Sequence, residues 1–446
     1  MNSSALPERG PSVCVIGAGP CGLTTVKNLL ALGLTNVLCY EESGGIGGNW
    51  AFSEDPTRMT VYESAHLISS RTLSGFEDFP IPDAYPDYPS QKQMLAYFES
   101  YARRFDVKRC VRFNAWVEQV TRDHEGRWTV RVSETGSTRE ERFDYLLVCA
   151  GHHRDAYVPD YPGRFSGEML HSGAYKRPEP FREKRVLVVG AGNSACDIAV
   201  DISRVAASTA ISIRRGCYIV PKIIFGRPVD VLYARTRKFP RFLWQPAFRL
   251  IGKLTVGPWE KYGLPVPAGG PFEIHPTLNT NILSALRDGM VLPRAGIERL
   301  DGERVHFVDG SSETFDVILW GTGFRTSMPF LDTSVVDWDT TQRPPLYLKM
   351  MHRSIENLFF IGLFQPIGCI WRLADHQARI AALQIAGRLD RPSDIDARIE
   401  KEMRSPHWAF QNTPRHAIEV DYHDFRRELF DELARARSEA APARAA

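Results

Sequence analysis

Val13-Cys14-Val15-Ile16-Gly17-Ala18-Gly19-Pro20-Cys21-Gly22 stands near the start of a 446-residue chain. Four apolar residues run into Gly17, Gly19 and Gly22, spaced G-x-G-x-x-G. Pro20 to Leu32 then carries helical spacing, and Val37-Leu38-Cys39-Tyr40 is a second apolar run. Together they predict a strand, a tight turn, a helix and a parallel strand. In such a unit the first glycine permits the turn. The second lets backbone approach a pyrophosphate, and the third lets helix pack on strand. The helix start offers unpaired N–H groups and a positive dipole end to phosphate. Glycine-rich turns without a nucleotide are common. Here the strand–turn–helix context favours binding.

The pattern recurs. Val186 to Val189 predicts a strand, Gly190-Ala191-Gly192-Asn193-Ser194-Ala195 a turn, Ser194 to Ala206 a helix, and Ala210 to Arg214 the next strand. Alanine at the third position is an accepted variant. Glu41 lies 24 residues after Gly17, and Arg214 lies 24 residues after Gly190. One topological position thus carries an acid in the first unit and a base in the second. A carboxylate there accepts hydrogen bonds from ribose hydroxyls, whereas guanidinium groups favour a 2′-phosphate. The first site therefore reads as one for FAD and the second as one for NADPH, with Arg215 sharing the phosphate. The plainer alternative makes Arg214 and Arg215 a solvated strand end.

The fold class expected is α/β, with two Rossmann-like dinucleotide-binding domains, the second inserted into the first. The FAD part occupies 1–176 and returns over 325–435. The NADPH part fills 177–324 with a helical insertion near 233–263, and an Ala/Arg/Ser/Pro-rich tail, 436–446, reads as disordered. A 43% hydrophobic, 24% charged composition is ordinary for a globular protein. A net charge of +2 gives no case for a nucleic-acid partner. The N-terminus lacks an apolar signal region, and no run is long enough to span a bilayer. Eight scattered cysteines without C-x-x-C argue against a zinc site or a redox-active pair, and so against a disulfide reductase. They read as buried thiols of a cytoplasmic protein. No metal site is expected. Nothing in the sequence codes for oligomeric state; a homodimer is one option.

Between the two units lies Phe165-Ser166-Gly167-Glu168-Met169-Leu170-His171-Ser172-Gly173-Ala174-Tyr175, which fits F-x-G-x-x-x-H-x-x-x-Y. With Gly44 to Trp50, Asp78-Phe79-Pro80, Trp320-Gly321-Thr322-Gly323-Phe324 and Gln365-Pro366-Ile367-Gly368, the sequence resembles the flavin-containing monooxygenase family of class B flavoprotein monooxygenases. The resemblance runs from about Val13 to Arg388. It implies that NADPH reduces FAD, that molecular oxygen forms a flavin C4a-hydroperoxide, and that NADP⁺ shields this adduct. A soft nucleophile of a small molecule, nitrogen or sulfur, then takes one oxygen. The cofactor brings the difficult chemistry, which suits a chain with no evident catalytic triad. Gly48 and Trp50 near the flavin, Gln365 closing its site, and Asn193 contacting cofactor follow from the same likeness. His171 takes a positional role between the domains. Alternatives are a Baeyer–Villiger oxygenase acting on ketones, whose motif usually ends in tryptophan, and an NADPH oxidase or redox-linked binding protein.

One position departs from the pattern. Many family members place an asparagine near the flavin where this chain has Ile68. Ser69 and Ser70 are candidates to take over its hydrogen bonding, or are plain loop serines. Arg235 to Lys261 mixes basic and aromatic residues. It reads as a roof over the substrate entrance in preference to a membrane-surface helix.

Replacing Arg214 with alanine should raise the Kd for NADPH by roughly tenfold or more, the scale of a lost charge-assisted hydrogen bond, and leave NADH binding nearly unchanged. Titration of both nucleotides checks this. Equal losses would remove the 2′-phosphate assignment.

Overall fold

Parallel strands in a sheet interior are covered on both faces, so they carry continuous apolar runs. In the computed structural model, which describes residues 10–236, 241–270, 276–338, 343–404 and 417–439, the first such runs form β1 (Val13–Ile16) and β2 (Val37–Tyr40) around α1 (Pro20–Ala31). β1 pairs in parallel with β2 and, on its other side, with β3 (Tyr145–Val148). Seven strands make up this sheet. One face is covered by α1 and the helix Ile370–Ile385, through Leu23, Val26 and Leu29 against Leu373, Ala374 and Ala378. The expected antiparallel excursion, Ala115–Arg122 with Trp128–Glu134 and Ser137–Phe143, covers the other face, where Trp128 and Val130 meet Leu146 and Val148.

A second sheet has five parallel strands. Its inner members are β5 (Arg185–Val189), β6 (Ser208–Ser212) and β7 (Val317–Trp320), with β4 (Glu168–His171) at one edge. α2 (Asn193–Ile202) connects β5 to β6. Two helices follow, α3 (Val229–Thr236) and α4 (Arg241–Thr255), as the basic aromatic stretch suggested. Residues 237–240 of that stretch lie outside the described residues.

The two units solve one packing problem in opposite ways. In the first, a Cβ on Gly22 would lie 1.8 Å from the Gly17 carbonyl oxygen, so the helix residue must be glycine. In the second, the helix residue is Ala195, and the space is given by Gly321 just beyond β7, where a Cβ would lie 2.6 Å from that of Ala195. The turns themselves need glycine, with φ of +99° at Gly17 and +125° at Gly190.

Two boundaries differ from expectation. The chain leaves the first domain well before residue 176. Asp155–Ala156 pairs antiparallel with Phe324–Arg325, so the outgoing and returning connections run side by side. Gly163–Phe165 and β4 then belong to sheets of the second domain. β4 leaves no periodic signal in the sequence, because it is an edge strand with only its last residue buried. Helix also extends past residue 436, the expected start of the tail. The final helix runs Tyr422–Glu439 with Ala436 buried, because Phe425, Leu429 and Leu433 continue its apolar stripe into the first core. Residues 440–446 lie outside the described residues.

Gly321→Ala should destabilise the protein by about 1–3 kcal/mol, the cost of overpacking. Adding Ala195→Gly should recover part of that loss in thermal unfolding. Strict additivity of the two changes would contradict the shared-space account.

Candidate active site

At the tip of β2, Glu41 is 5% exposed and its carboxylate is already organised. Its Oε2 accepts from the Ala18 N–H at 2.7 Å, and its Oε1 from the Ser43 N–H at 3.0 Å and the Ser43 hydroxyl at 2.6 Å. The acid therefore sits within the glycine turn's own hydrogen-bond network. Gly19 precedes α1, and Gly48 presses on it backbone to backbone: a Cβ on Gly48 would lie 3.0 Å from Gly19 Cα. The Gly47 N–H donates to the Ala18 carbonyl at 3.1 Å, pinning the second glycine loop to the first. Trp50 meets the Trp371 ring edge-on at 6.0 Å. Gln365 lies within 3.2 Å of His152, whose burial pushes its pKa down. A phosphate cradle bare of side chains beside a buried carboxylate fits the adenine half of FAD.

Gly192 precedes α2, and Ser194 is exposed in its first turn. Arg214 and Arg215 follow β6, both exposed and without a carboxylate partner among the described residues. Gly296 makes room for the Arg214 stem, since a Cβ there would lie 3.2 Å from Arg214 Cγ. Exposed guanidinium groups beside a second bare cradle fit NADPH. Asn193 does double duty. Its Oδ1 accepts from the Leu278 N–H at 2.8 Å, and it lines a cavity of about 580 Å³.

That cavity takes walls from both domains: Ile68, Ser69 and Leu73 from the first, Tyr233 on α3 and Phe248 on α4 from the second. α4 thus forms part of the cavity wall. Ser69 faces the cavity with its hydroxyl 2.7 Å from that of Ser74. Ser70 is not on the wall; its N–H donates to Asp230 Oδ2 at 2.6 Å. Sequence reading missed a third wall. Glu419–Val420 pairs with Gln365–Pro366, and Tyr422 then packs so tightly on Gly368 that a Cβ there would lie 2.9 Å from its ring. Glu419, Val420 and Tyr422 carry no motif.

His171 ends β4. Its Nδ1 accepts from the Gly173 N–H at 3.2 Å, and its ring meets Phe324 edge-on at 4.8 Å. Burial pushes its pKa down, so it stays neutral near pH 7 and has no charge to lend. The residues after it, with Arg58, Thr60 and Ser64 of the first domain, build the joint between the domains. Tyr175 Oη donates to Asp201 Oδ2 on α2 at 2.7 Å, and Ser64 Oγ donates to the same oxygen at 2.8 Å. Lys176 Nζ donates to the Arg58 carbonyl at 2.7 Å, the Thr60 hydroxyl at 2.9 Å and the Gly173 carbonyl at 3.0 Å. Burial among these neutral oxygens pushes the Lys176 pKa down to about 8.

A flavin-binding monooxygenase-like family model matches residues 10–438. The chain belongs to the flavin-containing monooxygenase family. Human flavin-containing monooxygenase 5 is 33% identical over 446 residues, spanning 94% of this chain and 82% of that protein. Human flavin-containing monooxygenase 2 is likewise 33% identical, with the same coverages. Among solved structures, S-allyl-L-cysteine S-oxygenase from Allium sativum aligns with a TM-score of 0.71 at 24% identity, covering 96% of this chain and 91% of that one. Cyclohexanone monooxygenase in its open form aligns equally well, with a TM-score of 0.71 at 17% identity, covering 96% and 98%. As a flavin-containing monooxygenase, the protein uses FAD and NADPH to transfer oxygen.

Glu41→Gln should weaken FAD retention by about ten- to a hundredfold, the scale of one charge-assisted hydrogen bond. The flavin-to-protein absorbance ratio after dialysis measures it. Full retention would mean that Glu41 serves only the turn.

Proposed function

We propose that this monooxygenase oxygenates the nitrogen or sulfur of a small molecule held in the 580 Å³ cavity. One observation carries the reading: the chamber draws its walls from Asn193 beside the NADPH turn and from Gly368 and Cys369 in the segment after Gln365. A substrate there lies between the two nucleotide sites. Bound FAD, reduced by NADPH, supplies the activated oxygen. The chain supplies placement and a dry, apolar wall.

In this proposal Gly17, Gly19, Gly22 and the start of α1 hold the FAD pyrophosphate, and Glu41 holds its ribose. Gly190, Gly192 and Ser194 hold the NADPH pyrophosphate, and Arg214 with Arg215 its 2′-phosphate. His171, neutral and buried, orients the crossing between the domains. Ser69 and Asn193 are polar residues on the cavity wall that also carries Ile68, where the family asparagine is replaced. Eight cysteines outside any disulfide, seven of them buried, support a reducing, cytoplasmic setting. No helix among the described residues is long and apolar enough to cross a membrane.

A thioether and a cyclic ketone, offered separately with NADPH and oxygen, discriminate the readings. The expected product is the sulfoxide, formed nearly one for one with NADPH consumed. A lactone in its place would make the enzyme a Baeyer–Villiger oxygenase. NADPH consumption yielding only hydrogen peroxide would make it an oxidase.

A further inference from the structure

The cavity wall carries four acidic or basic side chains besides the imidazole of His423. Arg249, Lys253 and Glu260 are exposed, as rim residues are. Asp230, in the first turn of α3, is half-buried. Its Oδ2 accepts from the Ser70 N–H at 2.6 Å and its Oδ1 from the Val231 N–H at 2.9 Å. An ionised carboxylate offers about four lone-pair sites, so roughly half its capacity remains. No lysine, arginine or histidine among the described residues forms an ion pair with it. Burial pushes its pKa up, as expected for a carboxylate withdrawn from water without a counter-ion.

A partly desolvated anion without a partner is costly unless something completes it. The surroundings specify what. Tyr233 and Phe248 share the wall, their rings 6.0 Å apart and near perpendicular. Aromatic faces attract an ammonium group. Leu73, Val229 and Ile224 supply apolar surface for the rest of the molecule.

We propose that Asp230 is the charge that selects this enzyme's substrates, pairing with the ammonium group of an aliphatic amine whose apolar body fills the cavity. The inference rests on the cavity being the substrate chamber. Oxygenation needs the nitrogen lone pair, so the ammonium proton passes to Asp230. The N–H bond breaks, its electron pair stays on nitrogen, and an O–H bond forms on the carboxylate. The two amide N–H groups fix the carboxylate while leaving it an open side. Neutral thioethers gain nothing from it.

The test compares N,N-dimethylbenzylamine with benzyl methyl sulfide in the FAD-loaded wild type, Asp230→Asn and Asp230→Glu. Asparagine still accepts the Ser70 N–H but has no charge. The amine-to-sulfide ratio of kcat/KM should fall roughly tenfold or more in Asp230→Asn, mainly through the amine KM, and recover in Asp230→Glu. An unchanged ratio, or equal losses for both substrates, would overturn the proposal. A second measurement needs no variant. Benzyltrimethylammonium should inhibit the wild type competitively at least roughly tenfold more tightly than its neutral carbon isostere, neopentylbenzene. Equal inhibition would overturn it. If the wild type oxygenates neither substrate, the reading of the cavity itself falls, and this inference falls with it.

Discussion

Backbone must meet backbone at the two strand-to-helix turns, and the rest of the molecule is arranged so that no side chain intervenes. At the first turn Gly48 lies against Gly19, and Gly22 lies against the Gly17 carbonyl. At the second, Ala195 lies in the space left by Gly321. A pyrophosphate is held mainly by amide N–H groups and the positive end of a helix. Those donors reach it only where the chain is bare. What distinguishes the sites is then a single side chain at each strand tip. Glu41 is buried and pre-bonded to the turn, whereas Arg214 and Arg215 stand exposed with their charge unspent.

Such sites serve one reaction only if their spacing is held. The connection between the sheets is a two-stranded ribbon, Asp155–Ala156 with Phe324–Arg325, a slender tie by itself. Ser64 and Lys176 supplement it with hydrogen bonds across the seam, largely withdrawn from water, and Tyr175 holds the same Asp201 oxygen from within the second domain. Lys176 is costly to bury and is nonetheless buried, with neutral oxygens as its hydrogen-bond acceptors. That cost is reasonable at a joint whose angle sets the shape of a cavity walled by both domains. The motif around His171 thus acts as a brace, and His171 itself carries no charge near pH 7.

How much of this was legible follows from what kind of signal each part leaves. β1, α1, β2 and their counterparts were readable because buried parallel strands are continuous apolar runs and because the turns admit few residues besides glycine. The acid and base at the strand tips were readable by counting. β4 was not, since an edge strand of four residues with one buried position has no period to detect. Asp230 and Tyr422 were not, because a cavity wall assembled from distant segments obeys shape and no spacing. The packing roles of Gly296 and Gly321 were invisible for a related reason: each glycine answers to a side chain, Arg214 or Ala195, far away in the chain.

The most direct test is the spectrum of the purified wild-type protein and its response to reduced nicotinamides without oxygen. The account predicts a yellow protein carrying about one flavin per chain, bleached much faster by NADPH than by NADH. A colourless protein that takes up no FAD on reconstitution, or a flavin reduced equally well by both nucleotides, would contradict two unlike adenine nucleotide sites in one chain.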